Sequence, residues 1–260
     1  MTHLMAVILT RNEREHIAEC IASVAFADSV LVFDSYSTDD TVQLAQQAGV
    51  DVIQHLFSNY AQQRNDALNA ARGRGADWVL FVDADERIPP ELAAEIRSVL
   101  DKPQYDAWRI PRHNYIFGKL TRAAGWYPDY QTRLLRIGGA YYDPERSVHE
   151  VVVLVRGENA LGTLTEHITH YNYKDAAHFA AKQRVYTAYE AQILYEQGIR
   201  PKFRNFILQP LRHFWWRFVT LKGYREGLHG LRLSCLMAWY EFKKYWLLWQ
   251  FWRKVHQRRN

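Results

Sequence analysis

The sequence predicts an α/β layered fold with a mostly parallel central sheet and a helical C-terminal extension, on three observations. Up to about residue 110, short runs of β-favouring residues alternate with helix-like runs, the pattern of parallel strands joined by right-handed helical crossovers. One of those runs, Trp78-Val79-Leu80-Phe81-Val82, stops at two neighbouring carboxylates, Asp83 and Asp85. Beyond about residue 200 the chain turns basic and rich in tryptophan. With 260 residues, 48% of them hydrophobic, it has material for one large domain, or for a domain and an appendage.

Taken in order, strands are expected at residues 4–9, 30–33, 52–55 and 78–82, each an apolar run bounded by polar or turn-forming residues. Helices are expected between and after them, near residues 14–24, 41–48, 60–72 and 90–100. Local chemistry marks their ends. Ser37 or Thr38 followed by Asp39 and Asp40 suits a helix start, Gly49 a stop, and Pro89-Pro90 with Glu91 another start. After Tyr105 strands resume, most clearly at 130–136 and 151–155 with Gly138-Gly139 as a turn, and a long helix follows at 176–196. There is neither internal repeat nor low-complexity tract. A boundary near Gly198 to Pro201 divides a catalytic domain, residues 1–200, from an extension, residues 201–260.

Charge is divided unevenly between those parts. Residues 200–260 hold 14 Lys/Arg against two Glu, a balance of +12, while residues 1–199 hold 19 against 26, a balance of −7. The tail also carries six of the nine tryptophans. Tryptophan beside Lys and Arg points to a membrane interface or to nucleic acid. A nucleic-acid-binding module would leave the acidic residues described below without a role, so no nucleic-acid partner is expected. Lys243-Lys244 interrupts the best spanning candidate, residues 234–252, so the tail reads as an interfacial helix pair on an anionic membrane surface, with some aromatics packed inward. Cys20 and Cys235 have no metal-ligand spacing, and the apolar stretch at 4–9 is short for a signal-peptide core. A reducing, cytoplasmic setting, peripheral on the inner face of the cytoplasmic membrane, is expected.

The chemistry is concentrated at strand ends. Asp83 and Asp85 can point the same way if alternate strand residues share a face, and two hard oxygens suit Mg2+ or Mn2+, which can hold a diphosphate. Thr10, Arg11, Asn12 and Glu13 follow the first strand, and Asp34-Ser35-Tyr36-Ser37-Thr38 the second; in open parallel sheets ligands bind outside these ends. Asp34 there can accept hydrogen bonds from a ribose hydroxyl or a base N–H, or it can cap the next helix. Arg64 and Asn65, in the helix beside the acidic strand, can reach a nucleotide.

Four pieces thus stand in order: Val7-Ile8-Leu9-Thr10-Arg11-Asn12-Glu13, Val32-Phe33-Asp34-Ser35-Tyr36-Ser37-Thr38-Asp39-Asp40-Thr41, Gln62-Gln63-Arg64-Asn65-Asp66-Ala67, and Val79-Leu80-Phe81-Val82-Asp83-Ala84-Asp85-Glu86-Arg87. They closely resemble family 2 glycosyltransferases. Asp83-Ala84-Asp85-Glu86-Arg87, Val148-His149-Glu150, and His170-Tyr171 followed by the Lys182 helix resemble the short bacterial enzymes of lipopolysaccharide core assembly, and the resemblance covers essentially the whole chain.

The resemblance implies a GT-A fold, a nucleotide-sugar donor (a UDP-hexose foremost) held with Mn2+ or Mg2+, a saccharide or glycolipid acceptor, and inversion at the anomeric carbon. It implies that Asp34 contacts the nucleoside, that Asp83 reaches the ribose or the metal with Ala84 beside it in the nucleotide site, and that Asp85 ligates the metal. Inversion needs a general base. Glu150 is the first choice, by its place after the acceptor-side stretch, and Asp129 the second. His149, His167 and His170 lie where such enzymes supply a late histidine to the metal, His170 being preferred. Arg133 and Arg136 suit either a phosphate or a plain surface strand. Two other enzyme classes carry some of these features: haloacid dehalogenase-like phosphatases share an Asp-x-Asp but usually place it on the first strand, and nucleotidyltransferases share the layering but need a glycine-rich basic loop absent here.

Overall fold

The computed structural model describes residues 2–145 and 151–257. Its first half follows the expected alternation: β1 (Leu4–Thr10), α1 (Ile17–Ser23), β2 (Ser29–Asp34), α2 (Thr41–Gln47), β3 (Asp51–Gln54), α3 (Tyr60–Arg72) and β4 (Trp78–Asp83). The strands pair in the order β3-β2-β1-β4, all parallel. A parallel block is covered on both faces by its crossover helices, which is why β1 and β4 read as continuous apolar runs. Leu4, Ala6 and Ile8 pack in one core with Ile17 and Cys20 of α1, while Met5 and Val7 face the other core with Ala67 and Ala71 of α3. Helix α1 begins at Ile17, three residues later than expected, because the His16 and Ile17 amides close a turn on the Glu13 carbonyl, both at 2.9 Å.

The chain continues through β5 (Glu86–Arg87), α4 (Pro90–Val99), β6 (Ala107–Ile116), β7 (Lys119–Thr121), β8 (Tyr130–Arg136), β9 (Ala140–Tyr142), β10 (Val152–Leu154), β11 (Leu161–Thr163) and β12 (Ile168–Tyr173). Here the sheet becomes mixed. From β4 its path runs β8-β6-β12-β5; β8 is antiparallel to both β4 and β6, and β5 is antiparallel to β12. Only two residues separate β4 from β5 in the chain, although they are four steps apart in the sheet, so this half curls back on itself. Strands β9 and β10 form a separate antiparallel pair.

Two compact units result, one of Met1–His113 with Asp129–His170, the other of Asn114–Pro128 with Tyr171–Asn260. The second unit contains α5 (Ala176–Glu196), α6 (Asn205–Trp215) and α7 (Leu228–Gln257). Asp175 caps α5 by accepting the His178 amide at 2.7 Å. Phe179 of α5 and Leu233 of α7 are buried together with Ile116 and Tyr173, so this unit has a core of its own and the stretch 198–201 lies inside it. No helix among the described residues is long and apolar enough to cross a membrane.

Candidate active site

The parallel strands bring Thr10 and Asp34 side by side at the ends of β1 and β2. Asp34 is fully buried, and its carboxylate accepts from the Ser37 amide (2.9 Å), the Ser37 hydroxyl (2.5 Å) and Gln54 Nε2 (3.2 Å). It therefore holds the turn after β2. Asn12, in the left-handed region at φ 57°, accepts the Thr38 amide on Oδ1 (2.7 Å) and donates its own N–H to Ser37 Oγ (2.8 Å). Glu13 donates its N–H to Thr41 Oγ1 (2.8 Å), so the loops after β1 and β2 are clasped, while Arg11 is exposed. Thr10 Oγ1 is buried with no hydrogen-bond partner, as a hydroxyl reserved for a ligand would be.

At the end of β4 the acids separate into different environments. Asp83 closes the strand, whereas Asp85 lies in the turn before β5, so strand alternation does not align them as expected. Buried Arg64 of α3 donates to Asp83 Oδ1 (3.1 Å), its guanidinium lying 5.2 Å from the Phe81 ring and 5.5 Å from that of Tyr142. Arg133 of β8 takes the other Asp83 oxygen and also donates to Glu86 Oε1 (3.1 Å). Burial pushes the Asp83 carboxyl up, but Arg133 and then Arg64 outweigh it and hold the group below the usual carboxylate range.

Glu86 is the hub of this network. Fully buried, it accepts the Asp83 amide (3.0 Å) and Arg112 Nη1 (3.0 Å) besides Arg133. Arg112 continues to Asp129, with Nη2 2.7 Å and Nε 2.9 Å from Oδ2, and Gln131 donates to the other Asp129 oxygen at 2.9 Å. Arg112 is raised above its ordinary value: burial opposes this, but Glu86 and Asp129 more than compensate, against repulsion from Arg133.

Asp85 meets a different partner. The β5–β12 ladder sets His170 opposite Glu86, and His170 Nε2 lies 3.5 Å from Asp85 Oδ2. Arg87 folds back and donates from Nη1 to the carbonyls of Ala84 and Glu86, each at 2.8 Å, which fixes the turn presenting Asp85. Among the described residues no group of three or more His, Cys, Asp or Glu side chains is placed to hold a metal ion. His167 stacks on His113 with centroids 3.8 Å apart, and Arg136 lies over Trp78 at 4.7 Å and bonds the Tyr105 and Lys102 carbonyls. His149 and Glu150 lie outside the described residues.

Residues 5–141 match the model of glycosyl transferase family 2. The chain belongs to glycosyl transferase family 2. This glycosyltransferase is 30% identical over 263 residues to an uncharacterized glycosyltransferase of Rickettsia felis, covering 93% of this chain and 88% of the relative. It is 28% identical over 253 residues to the lipopolysaccharide core biosynthesis glycosyltransferase LpsC of Rhizobium meliloti, covering 92% and 89%. Among solved structures, S. aureus TarS in complex with UDP-GlcNAc is similar at a TM-score of 0.48 and 14% identity, over 98% of this chain and 92% of that one. The glycosyltransferase has the layered α/β arrangement that its sequence predicted, a parallel block of strands with helices packed on both faces. Two members of its acid–arginine network, Glu86 and Arg112, have no site role in the sequence reading. Glu86 stands directly after Asp85, which is a signal; Arg112 carries none, because its partners are Asp129 and Glu86, 17 and 26 residues away.

Proposed function

We propose that this glycosyltransferase moves a hexose, with inversion, from a nucleoside-diphosphate sugar, a UDP-sugar foremost, to a lipid-linked saccharide in lipopolysaccharide or other cell-surface glycan synthesis at the inner face of the cytoplasmic membrane. One observation carries the reading: the acid turn after β4, with Asp83 between two arginines and Asp85 beside His170. The likeness to LpsC supports the lipopolysaccharide setting.

The donor set at that turn fits a divalent ion. A carboxylate oxygen and an imidazole nitrogen converge there, which favours Mn2+ over the oxygen-preferring Mg2+; Asp85 and His170 would hold it, Asp83 being committed to Arg64 and Arg133. When bound, the ion neutralises charge building on the departing nucleoside diphosphate. Arg64 and Arg133 add positive charge in a buried setting, where it acts more strongly than in water. Thr10 Oγ1 offers a hydroxyl to the nucleoside, and Asp34 shapes that side of its site by holding the turn after β2. Glu150 takes the proton from the acceptor hydroxyl, Asp129 being already engaged by Arg112 and Gln131.

A screen of sugar nucleotides for binding and hydrolysis, with and without Mn2+ or Mg2+, tests this directly. Metal-stimulated hydrolysis of a UDP-sugar is expected, and Asp85→Asn should reduce it by at least about 100-fold. Failure to bind or hydrolyse any sugar nucleotide would sink the proposal.

A further inference from the structure

We infer that α6 is the membrane-seated element of this enzyme, entering an anionic bilayer surface with its one exposed apolar face. This rests on the membrane-surface part of the proposed function and assigns it to particular side chains. Helix α6 has 11 residues and no buried one. Ile207, Leu208, Leu211 and Trp215 recur at the spacing that puts them on one side of a helix, and they are 50%, 58%, 60% and 63% exposed; Phe203, just before the helix, is 82% exposed. An apolar stripe of this size is unusual on a surface that meets only water.

The second helix adds exposed aromatics of its own. Phe206 of α6 meets Phe242 of α7 with centroids 6.0 Å apart, and Phe242 stacks between Trp239 (5.4 Å) and Trp246 (6.3 Å), both of which are exposed. Lys243 lies 4.9 Å over the Trp239 ring, a pairing suited to the headgroup layer, where an aromatic body and a cation are both accommodated.

Charge selects the occupant. Seven Lys/Arg and no acid stand between Glu196 and Glu226. The two acids of the tail are engaged: Glu226 accepts the Arg122 amide and pairs with Lys119, and Glu241 pairs with Lys244. An apolar stripe in a stretch whose only charged residues are cations complements anionic lipid, whereas an equally cationic second copy would be repelled.

The test is co-sedimentation of the full chain with vesicles of phosphatidylcholine alone or mixed with phosphatidylglycerol, alongside the double variant Ile207→Glu/Leu211→Glu. Wild type should bind the mixed vesicles, more weakly at high salt, with a blue-shifted tryptophan emission. The variant should bind at least about tenfold more weakly, its circular dichroism unchanged. Equal binding by both proteins, or none by wild type, overturns the inference; so does a wild-type dimer that the variant abolishes. Hydrolysis of soluble sugar nucleotides does not require this face, so a wild-type chain that hydrolyses them yet binds no vesicle would overturn the inference and leave the sugar-transfer part of the proposed function standing.

Discussion

A carboxylate with no exposure to water survives only where donors and positive charge surround it, and Glu86 has a backbone amide and two guanidiniums. It does two jobs at once. By accepting the Asp83 amide it closes the turn that presents Asp85, and by holding Arg133 it keeps that guanidinium against Asp83. Removing its charge leaves Arg112 and Arg133 buried with less compensation, which typically costs about 3–5 kcal/mol. Glu86→Gln should therefore lose roughly 3 kcal/mol of stability in chemical denaturation. A loss below about 1 kcal/mol would show that the network is not balanced through this residue.

Helix α6 meets α7 through His213, which accepts a hydrogen bond from Arg217 Nε at 2.8 Å and lies 3.9 Å from Glu241. Burial first, and then Arg217, depress His213 to about 4, Glu241 opposing them. An unfolded chain therefore protonates this histidine near its ordinary 6.5 while the folded chain resists until about 4, so the unfolded state binds more protons across that window. Stability present above pH 6.5 should fall by up to about 3 kcal/mol as pH drops toward 4. Asp83, held low by its arginines, contributes its own loss only at lower pH. Thermal unfolding at several pH values checks this, and His213→Gln should flatten the profile; an unchanged profile would remove His213 as its source. The elements themselves were legible to different degrees. Strands β1 to β4 and their helices rest on local periodicity and caps, which a sequence carries openly. Strand β6 does not: Arg109, Arg112 and His113 break its apolar pattern, and they are accommodated by Thr163, Asp129 and His167 in turn, partners 17 residues or more beyond them in the sequence. The site was legible as an acid pair, but its division into Asp83 with arginines and Asp85 with His170 depends on β8 and β12 arriving from far along the chain.

The whole molecule divides where no composition shift announces it. Charge and tryptophan content change near residue 200, yet the compact second unit gathers Asn114–Pro128 with everything from Tyr171, because Ile116, Tyr173 and Phe179 are covered by Leu233, with Leu236, Met237 and Tyr240 packed alongside. The basic tail thus has two faces, one that completes a core and one that is exposed. Ending the chain at residue 200 removes Leu233, Leu236, Met237 and Tyr240 and uncovers a cluster centred on Phe179, which is otherwise 1% exposed. Losing cover from even one large apolar side chain costs about 1.5–3 kcal/mol, and several go together here. Residues 1–200 expressed alone should therefore bind a hydrophobic dye, aggregate in size-exclusion chromatography and melt at lower temperature than the full chain. The same truncation changes the charge balance from +5 for the full chain to −6 over residues 1–200, so weakened vesicle binding by such a fragment would mix lost core, lost charge and lost apolar face. A monomeric fragment melting like the full chain would mean that α7 does not complete the second core.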